Sequence, residues 1–406
     1  MRKPGCSAAV AIAPMDMRLS AAGTVDRRHR TNPEIEYLRA LAILFVIVKH
    51  VPLLCIPYPA GWVEGIQAWI DPETGVDLFF IISGYLIGRS FMCPFEAAEH
   101  RGRAHQVARI AAFWVRRFYR LFPASTLWVG LAFAASMASR NHSLWLTPHV
   151  MFTKAIATLA VVRNFEESRA PSYFGYYWSL SVENQFYLAL PVLLLAVRRR
   201  WRFAGLCALC AMNAVWRPGG TVWWMFRYDG LIYGLLLFEL ERSGLGAILS
   251  GCLPRTSAGR GALLTTVGAV VLGAPLALAG YPPLAWSVVN WAGFVLVFAA
   301  SCQVGAIAII PGLRRAMLWI GARSYSLYLC HIPVWFAVID LSEQTGLSRE
   351  SWVPVRMVIG ILASLVAADL TFRWLELPLQ ERGRVRASEI RRANEQGQAG
   401  GLAISP

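Results

Sequence analysis

The sequence is poor in charged side chains: Asp, Glu, Lys and Arg make up only 16% of its 406 residues, whereas hydrophobic residues make up 56%. A soluble domain carries about 25% charged residues. Lysine occurs only at positions 3, 49 and 154, so arginine carries almost all of the net charge of +15. This composition excludes an ordinary soluble protein and predicts a polytopic membrane protein in a lipid bilayer. In such a protein the arginine excess indicates orientation rather than nucleic-acid binding.

The sequence also gives no sign of disulfide bonds, a metal site or an internal repeat. The eight cysteines show no disulfide framework. Cys207 and Cys210 form a C-x-x-C pair inside an apolar run without a second pair, which favours packing over redox or zinc chemistry. We expect no metal. No internal repeat is visible, and we expect no soluble domain after the last apolar segment.

About 20 apolar residues cross a bilayer as a helix. The pattern therefore predicts an all-α fold, a polytopic membrane helix bundle of about ten transmembrane helices. They lie near residues 36–56, 75–93, 121–139, 175–197, 201–217, 222–241, 261–280, 284–303, 316–340 and 353–375. Ala155–Val162 is too short to span and is expected to be re-entrant or interfacial. The transmembrane domain is predicted to cover 34–378, between basic, disordered cytoplasmic tails at 1–33 and 379–406.

The arginine distribution predicts the orientation. The loop from Pro52 to Glu73 contains three acidic residues and no Lys or Arg, whereas the next loop is rich in arginine up to Arg120. Short loops rich in Lys and Arg remain in the cytoplasm. Strict alternation through ten helices then leaves every later arginine cluster on the cytoplasmic side. Both termini are therefore predicted to be cytoplasmic.

The first apolar helix carries Arg39 and, eleven positions later, His50. Eleven residues make about three helical turns, so both side chains project from nearly the same face about 16 Å apart. Ionisable groups inside a membrane are costly and are functional candidates. The structural alternative is that Arg39 is a snorkelling anchor and His50 a hydrogen-bonded interior residue.

Five predicted helices each bring an ionisable group to the outer half of the membrane. A polar cluster at one depth implies a cavity, in which a histidine and a carboxylate perform acid–base chemistry. A single pair such as Arg227 with Asp229 has a structural alternative, a buried ion pair that orders the bundle. The groups on the five helices are His50, Asp77, Glu183, Arg227 with Asp229, and His331.

A second group of charged residues is predicted at the cytoplasmic ends of the first and third helices: Arg39, Arg116, Arg117 and Arg120. Guanidinium groups bind phosphate oxygens in bidentate fashion, so this cluster suggests a phosphate site. Positive-inside anchoring is the simpler alternative. An elongated phosphate-bearing donor lying along the first helix would connect both groups.

At these positions the sequence resembles the acyltransferase-3 family of integral-membrane acyltransferases. Six blocks occur in the order typical of that family, over about residues 34–378. They are Arg39-x10-His50; Gly75–Val–Asp–Leu–Phe–Phe–Ile–Ile–Ser83–Gly84; Arg116–Arg–Phe–Tyr–Arg120; Trp178–Ser–Leu–Ser–Val–Glu183; Arg227–Tyr–Asp229; and Gly321-x-x-Ser–Tyr325-x-x-Tyr328-x-x-His331.

The resemblance implies transfer of an acyl group, usually acetyl from acetyl-CoA, to a hydroxyl of an extracytoplasmic carbohydrate or glycolipid. It makes His50 the essential histidine, Arg39 its helix partner and Glu183 a second catalytic residue that orients His50 or handles a proton. Arg116, Arg117 and Arg120 are expected near the CoA phosphates. We expect a multi-pass protein of the bacterial plasma membrane. Residues expected to support the site are Asp77, Ser83, Trp178, Ser181, Arg227, Asp229, Tyr325 and His331.

The chain departs from the family pattern in two ways. Lys49 stands where an uncharged residue is expected before the histidine, and it is expected to tune the charge of His50 or to meet an anionic substrate. The fused extracytoplasmic hydrolase-like domain of many polysaccharide-modifying members is not expected here. Either the acceptor is then reached directly in the membrane, or a separate extracytoplasmic protein completes the transfer.

Two other functions remain open at this point. The same polar groups suit a proton-coupled secondary transporter or flippase, although no inverted repeat or pair of broken helices is visible. A glycan synthase that uses a phosphate-bearing donor is the third alternative, but no carboxylate motif for Mg²⁺ lies on the cytoplasmic side.

Overall fold

The computed structural model describes residues 32–58, 61–169, 172–215, 226–307, 311–347 and 349–402. Within these ranges the chain is all-helical and contains no strand. Almost all of the predicted tail at 1–33 lies outside the described residues. The α-helices are α1 Pro33–His50, α2 Gly61–Gln67, α3 Thr74–Ile87, α4 Cys93–Glu99, α5 Arg103–Ala138, α6 His142–Trp145, α7 Pro148–Leu159, α8 Arg163–Glu167, α9 Trp178–Ala196, α10 Arg199–Val215, α11 Asp229–Arg242, α12 Leu245–Gly251, α13 Ser257–Ala277, α14 Pro282–Ser301, α15 Arg314–Ala322, α16 Ser324–Gln344, α17 Val353–Thr371 and α18 Leu377–Leu402.

Helix α1 begins at a well-formed N-terminal cap and lies at the centre of the bundle. The side chain of Asn32 accepts hydrogen bonds from the backbone N–H groups of Glu34 and Ile35, and Pro33 occupies the first turn, where its missing N–H costs nothing. The helix packs against α3, α14, α15 and α16. A 3₁₀ turn, Val51–Cys55, continues it beyond His50. The central position explains why both ends of α1 contribute to the site described below.

Eight helical runs of the described residues are long and apolar enough to cross a membrane, so the chain is a multi-pass integral membrane protein. They are Pro33–Cys55, Thr74–Glu99, Arg103–Ala138, Tyr173–Ala196, Ser257–Ala277, Pro282–Ser301, Ser324–Gln344 and Glu350–Gln396. Each coincides with one of the ten predicted spans. The short apolar segment at 155–162 belongs mainly to α7, which has 12 residues.

The other two predicted spans correspond to α10 and α11, with 17 and 14 residues. At 1.5 Å per residue these helices are about 26 and 21 Å long, shorter than the roughly 30 Å hydrocarbon layer. Helix α11 is an interior helix, since every residue from Asp229 to Phe238 is buried. Part of each predicted span, 216–217 and 222–225, lies outside the described residues.

Helices α3 and α11 pack so closely that glycine is required at their contact. A Cβ atom added to Gly84 would lie 2.1 Å from the carbonyl oxygen of Leu231, and one added to Gly234 would lie 2.2 Å from that of Ile81. Small residues allow this close approach of two helix backbones in membrane proteins. The contact fixes α11, and with it the neighbouring Arg227, against the start of α3.

Helices α5 and α18 extend well beyond their predicted boundaries. Helix α5 has 36 residues and includes the arginine-rich stretch that precedes the predicted span. The predicted disordered tail from 379 differs from the structure, because a π-turn, Phe372–Glu376, joins α17 to α18 and the helix continues to Leu402. Helix α18 packs along α5, with Ala387 buried and no room for a Cβ at Gly383 beside Tyr119.

Candidate functional site

A narrow cavity of about 60 Å³ lies between α1, α3, α5, α9 and α16. Its walls are largely apolar, with charged groups from three of the helices. Five of the predicted site residues meet here: Arg39, Ser83, Arg120, Glu183 and Tyr325. The other lining residues are Val76, Phe79, Phe80, Ile82, Leu86, Leu121, Ser179, Leu180, Tyr187, Ser324 and Tyr328. The cavity therefore combines an apolar passage with a few positioned polar groups, as small-molecule sites do.

The charged groups of the cavity are incompletely paired. Arg39 donates to Glu36 one turn earlier on α1, at 3.1 Å, and Glu183 accepts a hydrogen bond from the hydroxyl of Tyr187. The Nε atom of Arg120 is buried and has no hydrogen-bond partner among the described residues. A buried guanidinium N–H without an acceptor is costly. The site thus offers a positive group to an anionic ligand.

Two histidines form a pair near the last residue of α1. Their ring centroids are 5.1 Å apart, and Nδ1 of His50 lies 3.4 Å from Nε2 of His331. His331 is fully buried, whereas His50 is half-buried. This pairing brings together two predicted site residues, whereas Glu183, which was predicted either to orient His50 or to handle a proton, lines the cavity.

The neighbours of the two imidazoles assign their tautomers. Nδ1 of His331 is 2.8 Å from the carbonyl oxygen of Tyr328, and Nδ1 of His50 is 2.8 Å from that of Val46. A carbonyl oxygen only accepts, so both Nδ1 atoms carry a proton and both Nε2 atoms carry a lone pair. The Nδ1–H of His50 is thus shared between Val46 and Nε2 of His331. This arrangement leaves Nε2 of His50 as a potential base.

A layer of hydroxyl-bearing side chains separates the cavity from the histidine pair. The hydroxyls of Ser179 and Tyr328 are 2.6 Å apart, and the hydroxyl of Tyr328 also donates to the carbonyl oxygen of Tyr176 at 2.5 Å. The ring of Tyr176 lies 6.4 Å from that of His50 and 5.2 Å from that of His331. Tyr328 therefore touches both regions, with its hydroxyl in the cavity wall and its carbonyl on His331.

A buried ion-pair network flanks the start of α3. The guanidinium of Arg227 binds Asp77 through two nitrogens and Glu73 at 2.7 Å, and it stacks 3.7 Å from the ring centre of Trp286. Lys49 lies 3.4 Å from Asp71 and 3.7 Å from Glu73. Two basic side chains are thus paired with three acidic ones, and the network orders the helices around the histidine pair.

Three further residues that were predicted to support the site make contacts between helices. Trp178 stands 5.7 Å from the guanidinium of Arg227, and Asp229 accepts a hydrogen bond from the side chain of Asn290 at 2.9 Å. Tyr325 has its hydroxyl on the carbonyl oxygen of Leu121. These three residues therefore hold helices together at the site.

Three predicted site residues point elsewhere. Ser181 accepts a hydrogen bond from the backbone N–H of Arg163, at the start of α8. The guanidinium of Arg117 lies over the rings of Phe113 and Tyr187, 5.5 and 4.8 Å from their centres. Ser181 and Arg117 border a second cavity, while Arg116 lies on α5 outside both. The phosphate cluster predicted from the sequence is thus divided among different surfaces.

The sequence also left some site residues unassigned: Glu73, Tyr176, Ser179 and Tyr328. The motif around His331 contains Tyr328, and helical spacing relates Ser179 to Glu183. Glu73 and Tyr176 have no comparable signal, since one lies in a turn before α3 and the other in the 3₁₀ segment before α9. No group of His, Cys, Asp and Glu that could hold a metal occurs in the described part of the chain.

Comparison with known proteins gives a family and several relatives. The model of the acyltransferase-3 family, described as an acyltransferase domain, matches residues 32–373. The peptidoglycan O-acetyltransferase OatA of Listeria monocytogenes is 26% identical over 86% of this chain and 56% of its own length. The putative peptidoglycan O-acetyltransferase YrhL of Bacillus subtilis is 27% identical over 88% of this chain and 56% of its own length.

A putative O-acetyltransferase of Staphylococcus aureus is 25% identical over 88% of this chain and 58% of its own length. The chain thus spans somewhat more than half the length of these curated relatives. No solved structure matches it.

Proposed function

Because the chain belongs to the acyltransferase-3 family, we propose that it is a membrane-bound O-acyltransferase. It moves an acyl group, most simply acetyl, from a CoA thioester in the cytoplasm to a hydroxyl of a carbohydrate or glycolipid across the membrane. The observation that carries this proposal is the arrangement along α1. A cavity that begins beside Arg39 and Arg120 ends one layer of side chains away from the pair of His50 and His331.

The proposed topology has ten membrane crossings, with both termini in the cytoplasm of a bacterial cell and the chain in its plasma membrane. The distribution of arginine along the sequence supports it. In this orientation the Arg39 end of α1 faces the cytoplasm, where CoA thioesters are found, and the His50 end faces outward. Helix α18 then lies on the cytoplasmic side.

The cavity marks the path proposed for the pantetheine arm of a CoA thioester, and with a volume of about 60 Å³ it must widen to admit that arm. The phosphates of the donor would lie near Arg39 and Arg120, since the buried Nε of Arg120 lacks an acceptor and guanidinium groups pair well with phosphate oxygens. The apolar walls contributed by Phe79, Phe80 and Leu86 suit the pantetheine arm. The Ser179–Tyr328 hydrogen bond must open for the thioester carbon to reach His50.

His50 is the proposed general base. Its Nε2 lone pair takes the proton of the acceptor hydroxyl as the oxygen attacks the thioester carbonyl carbon. The new C–O bond forms and the C–S bond breaks, which releases CoA thiolate. The imidazolium is stabilised at Nδ1–H by Val46 and by Nε2 of His331. His331 therefore acts as a positioning residue that stabilises the charged form of the base.

Glu183 is proposed to handle a proton on the donor side rather than to orient His50. It lines the cavity with Arg39 and Arg120 and is hydrogen-bonded to Tyr187. In this role the carboxylate relays a proton taken from the cytoplasmic side to the thiolate as CoA is released. The proton that His50 accepts then leaves on the outer side, while the thiolate takes up one proton from the cytoplasmic side, so the reaction balances overall and each turnover releases one proton outside and consumes one inside.

The acceptor is proposed to be a cell-envelope carbohydrate. Two of the relatives are named peptidoglycan O-acetyltransferases, one of them as putative, which supports a glycan hydroxyl as the acceptor class. A separate extracytoplasmic protein is proposed to complete the transfer where the acceptor is not reached directly in the membrane.

The test measures transfer and donor binding separately in purified protein reconstituted into nanodiscs. We expect His50→Ala to abolish transfer of a labelled acetyl group to envelope glycans while acetyl-CoA still binds. Arg39→Ala should weaken acetyl-CoA binding about tenfold, the usual effect of losing one charge-assisted contact. Arg200→Ala, which changes an exposed arginine over Trp201, is the control. Undiminished transfer by a well-folded His50→Ala variant would exclude the proposed chemistry.

A further inference from the structure

Helix α2 buries one of its faces and exposes two tryptophans on the opposite one. Val63 is buried and Gln67 is half-buried, whereas Trp62 is 59% exposed and Trp69, in the turn that follows the helix, is 82% exposed. Successive helical residues are rotated by about 100°, so Trp62, Ile66 and Trp69 fall within an arc of about 60°. Ile66 is exposed as well. Large apolar side chains grouped in this way on a surface mark a binding site.

The inward face of α2 rests on the end of α1, next to the histidine pair. The side-chain amide of Gln67 donates to the carbonyl oxygen of Lys49, the residue before the proposed base, at 3.2 Å. Val63 shares a buried hydrophobic cluster with Trp335, whose ring centre lies 5.3 Å from that of His331. The exposed face of α2 is therefore continuous with the candidate site, and the helix itself stands between the tryptophans and the histidines.

The indole rings on α2 are open to a flat ligand. Their neighbours on the helix are small, namely Gly61, Gly65 and Ala68, and no atom lies within 4 Å of a Cβ added to either glycine. The carboxylate of Glu64 is exposed on the same helix. The face of an indole ring packs well against the C–H face of a pyranose ring, and a carboxylate accepts hydrogen bonds from sugar hydroxyls. The surface thus has the chemistry of a saccharide-binding site.

We infer that the exposed face of α2 is an acceptor subsite, on which Trp62 and Trp69 stack against sugar rings that neighbour the acylated one. This inference rests on the proposed function, in which α2 lies on the outer side of the membrane with the envelope glycan. A glycan that reaches from His50 to α2 gains contacts outside its reacting sugar. Those contacts hold the acceptor hydroxyl beside the base.

Charge distinguishes this surface from a membrane anchor. Helices that lie in the layer of lipid headgroups carry Lys and Arg on their polar face, which attract anionic lipid. The segment 52–73 contains neither, and its charged residues are Glu64, Asp71 and Glu73. Anionic headgroups repel such a segment, so a glycan explains the exposed tryptophans better than a lipid surface does.

The first test measures transfer of labelled acetyl groups by the full-length protein in nanodiscs. The acceptors are soluble glycan fragments of the cell envelope, several sugars long. Trp62→Ala and Trp69→Ala should each raise KM for the glycan about tenfold, since each removes one stacked ring, and leave kcat and KM for acetyl-CoA unchanged. Trp69→Phe should retain part of the affinity because it keeps an aromatic face. The control is Tyr281→Ala, which removes a 72% exposed aromatic side chain just before α14.

The second test detects the glycan on α2 without relying on activity. In a cysteine-free background, Ile66→Cys places a thiol on the exposed face and keeps both tryptophans. We expect a membrane-impermeant maleimide to label this thiol. Glycan fragments at ten times their Kd should slow the labelling about tenfold, because about nine-tenths of the sites are then occupied, whereas acetyl-CoA alone should not. Labelling of Tyr281→Cys, the control, should not respond to the glycan.

Three outcomes would overturn the inference. If both alanine variants keep the wild-type KM for a glycan that the wild type acetylates, the subsite is wrong and the proposed function stands. If Ile66→Cys resists the maleimide, the face is covered by lipid, and if it reacts equally fast with and without glycan, the face is unoccupied. If the wild type transfers no acetyl group to the fragments, the acceptor assignment of the proposed function fails and the subsite fails with it.

Discussion

At the scale of single residues, the chemistry depends on which nitrogen of each imidazole carries a proton. The carbonyl oxygens of Val46 and Tyr328 hold protons on Nδ1 of His50 and His331, respectively. This leaves an unprotonated Nε2 on His331 to accept from His50, and an unprotonated Nε2 on His50 to act as base. In the proposed mechanism the neutral His331 takes the role that an aspartate has in many histidine-based sites, without adding a second charge to a buried position.

His331→Ala removes one of the two acceptors of Nδ1–H of His50 and leaves the carbonyl oxygen of Val46. We expect kcat to fall about 10- to 100-fold, which corresponds to losing one buried hydrogen bond of about 1–3 kcal/mol. KM for acetyl-CoA should change little, since His331 does not line the donor cavity. His331→Gln should recover much of the rate, because an amide can both donate to Tyr328 and accept from His50. Steady-state kinetics of the three proteins would reveal a structural role instead if both variants lost rate and donor binding together.

Helical geometry explains which site residues could be predicted from the sequence. Ser179, Glu183 and Tyr187 are four residues apart and share a face of α9, and all three line the cavity. Ser181 lies two residues from Glu183, about 200° around the helix, and so faces α8. The family motif alone does not indicate which neighbouring helix each of its side chains faces. The partner of His50 was also beyond the sequence, because it depends on how α1 and α16 are placed relative to each other.

At the scale of helices, the close contact of α3 and α11 positions the ion-pair network. Residues of α3 and α11 meet backbone to backbone at Gly84, and Arg227 precedes α11 by two residues. Asp77 lies in the first turn of α3. A change in the separation of these helices therefore alters the ion pair beside the histidines.

Gly84→Ala tests the contact. The new Cβ would lie 2.1 Å from the carbonyl oxygen of Leu231, so the helices must separate, and we expect destabilisation by about 1–3 kcal/mol. Gly130→Ala is the matched control on α5, where no atom lies within 4 Å of the added Cβ and helix propensity favours alanine. Thermal unfolding in detergent should show a lower midpoint for Gly84→Ala alone. Equal midpoints would mean that the contact relaxes without cost.

Helix existence was easier to predict from the sequence than helix length. Apolar runs predicted the centre of α5, but its arginine-rich first half is helical as well, because it packs against α18 and α4. Helix α18 is too polar to be recognised by hydropathy. It is held by the buried Ala387, the close approach at Gly383 and the ion pairs of Arg384 and Arg386. Such polar helices depend on tertiary contacts that periodicity alone does not reveal.

At the scale of the whole molecule, the number of crossings and the orientation are separate questions. Helices α10 and α11 are consecutive, so counting both as spans or neither leaves every other loop on the same side. The arginines before α10 and after α11 therefore satisfy the positive-inside rule with eight crossings as well as with ten. Only the exposure of the connection between α10 and α11 changes: it reaches the outer aqueous side with ten crossings and stays within the membrane with eight. The proposed functional orientation does not depend on the count, whereas the ten-crossing topology does.

Val215 at the end of α10 distinguishes the two topologies, since it is 84% exposed. In a cysteine-free background, a membrane-impermeant maleimide should label Val215→Cys in intact cells if the chain crosses ten times. Trp69→Cys, in an exposed position before α3, is the outside control, and a retained Cys252, which is also exposed, is the inside control. Val215→Cys that stays unlabelled in intact cells, while Trp69→Cys is labelled, would give eight crossings. Helices α10 and α11 would then form a hairpin that enters from the cytoplasm, with the buried α11 still packed against α3.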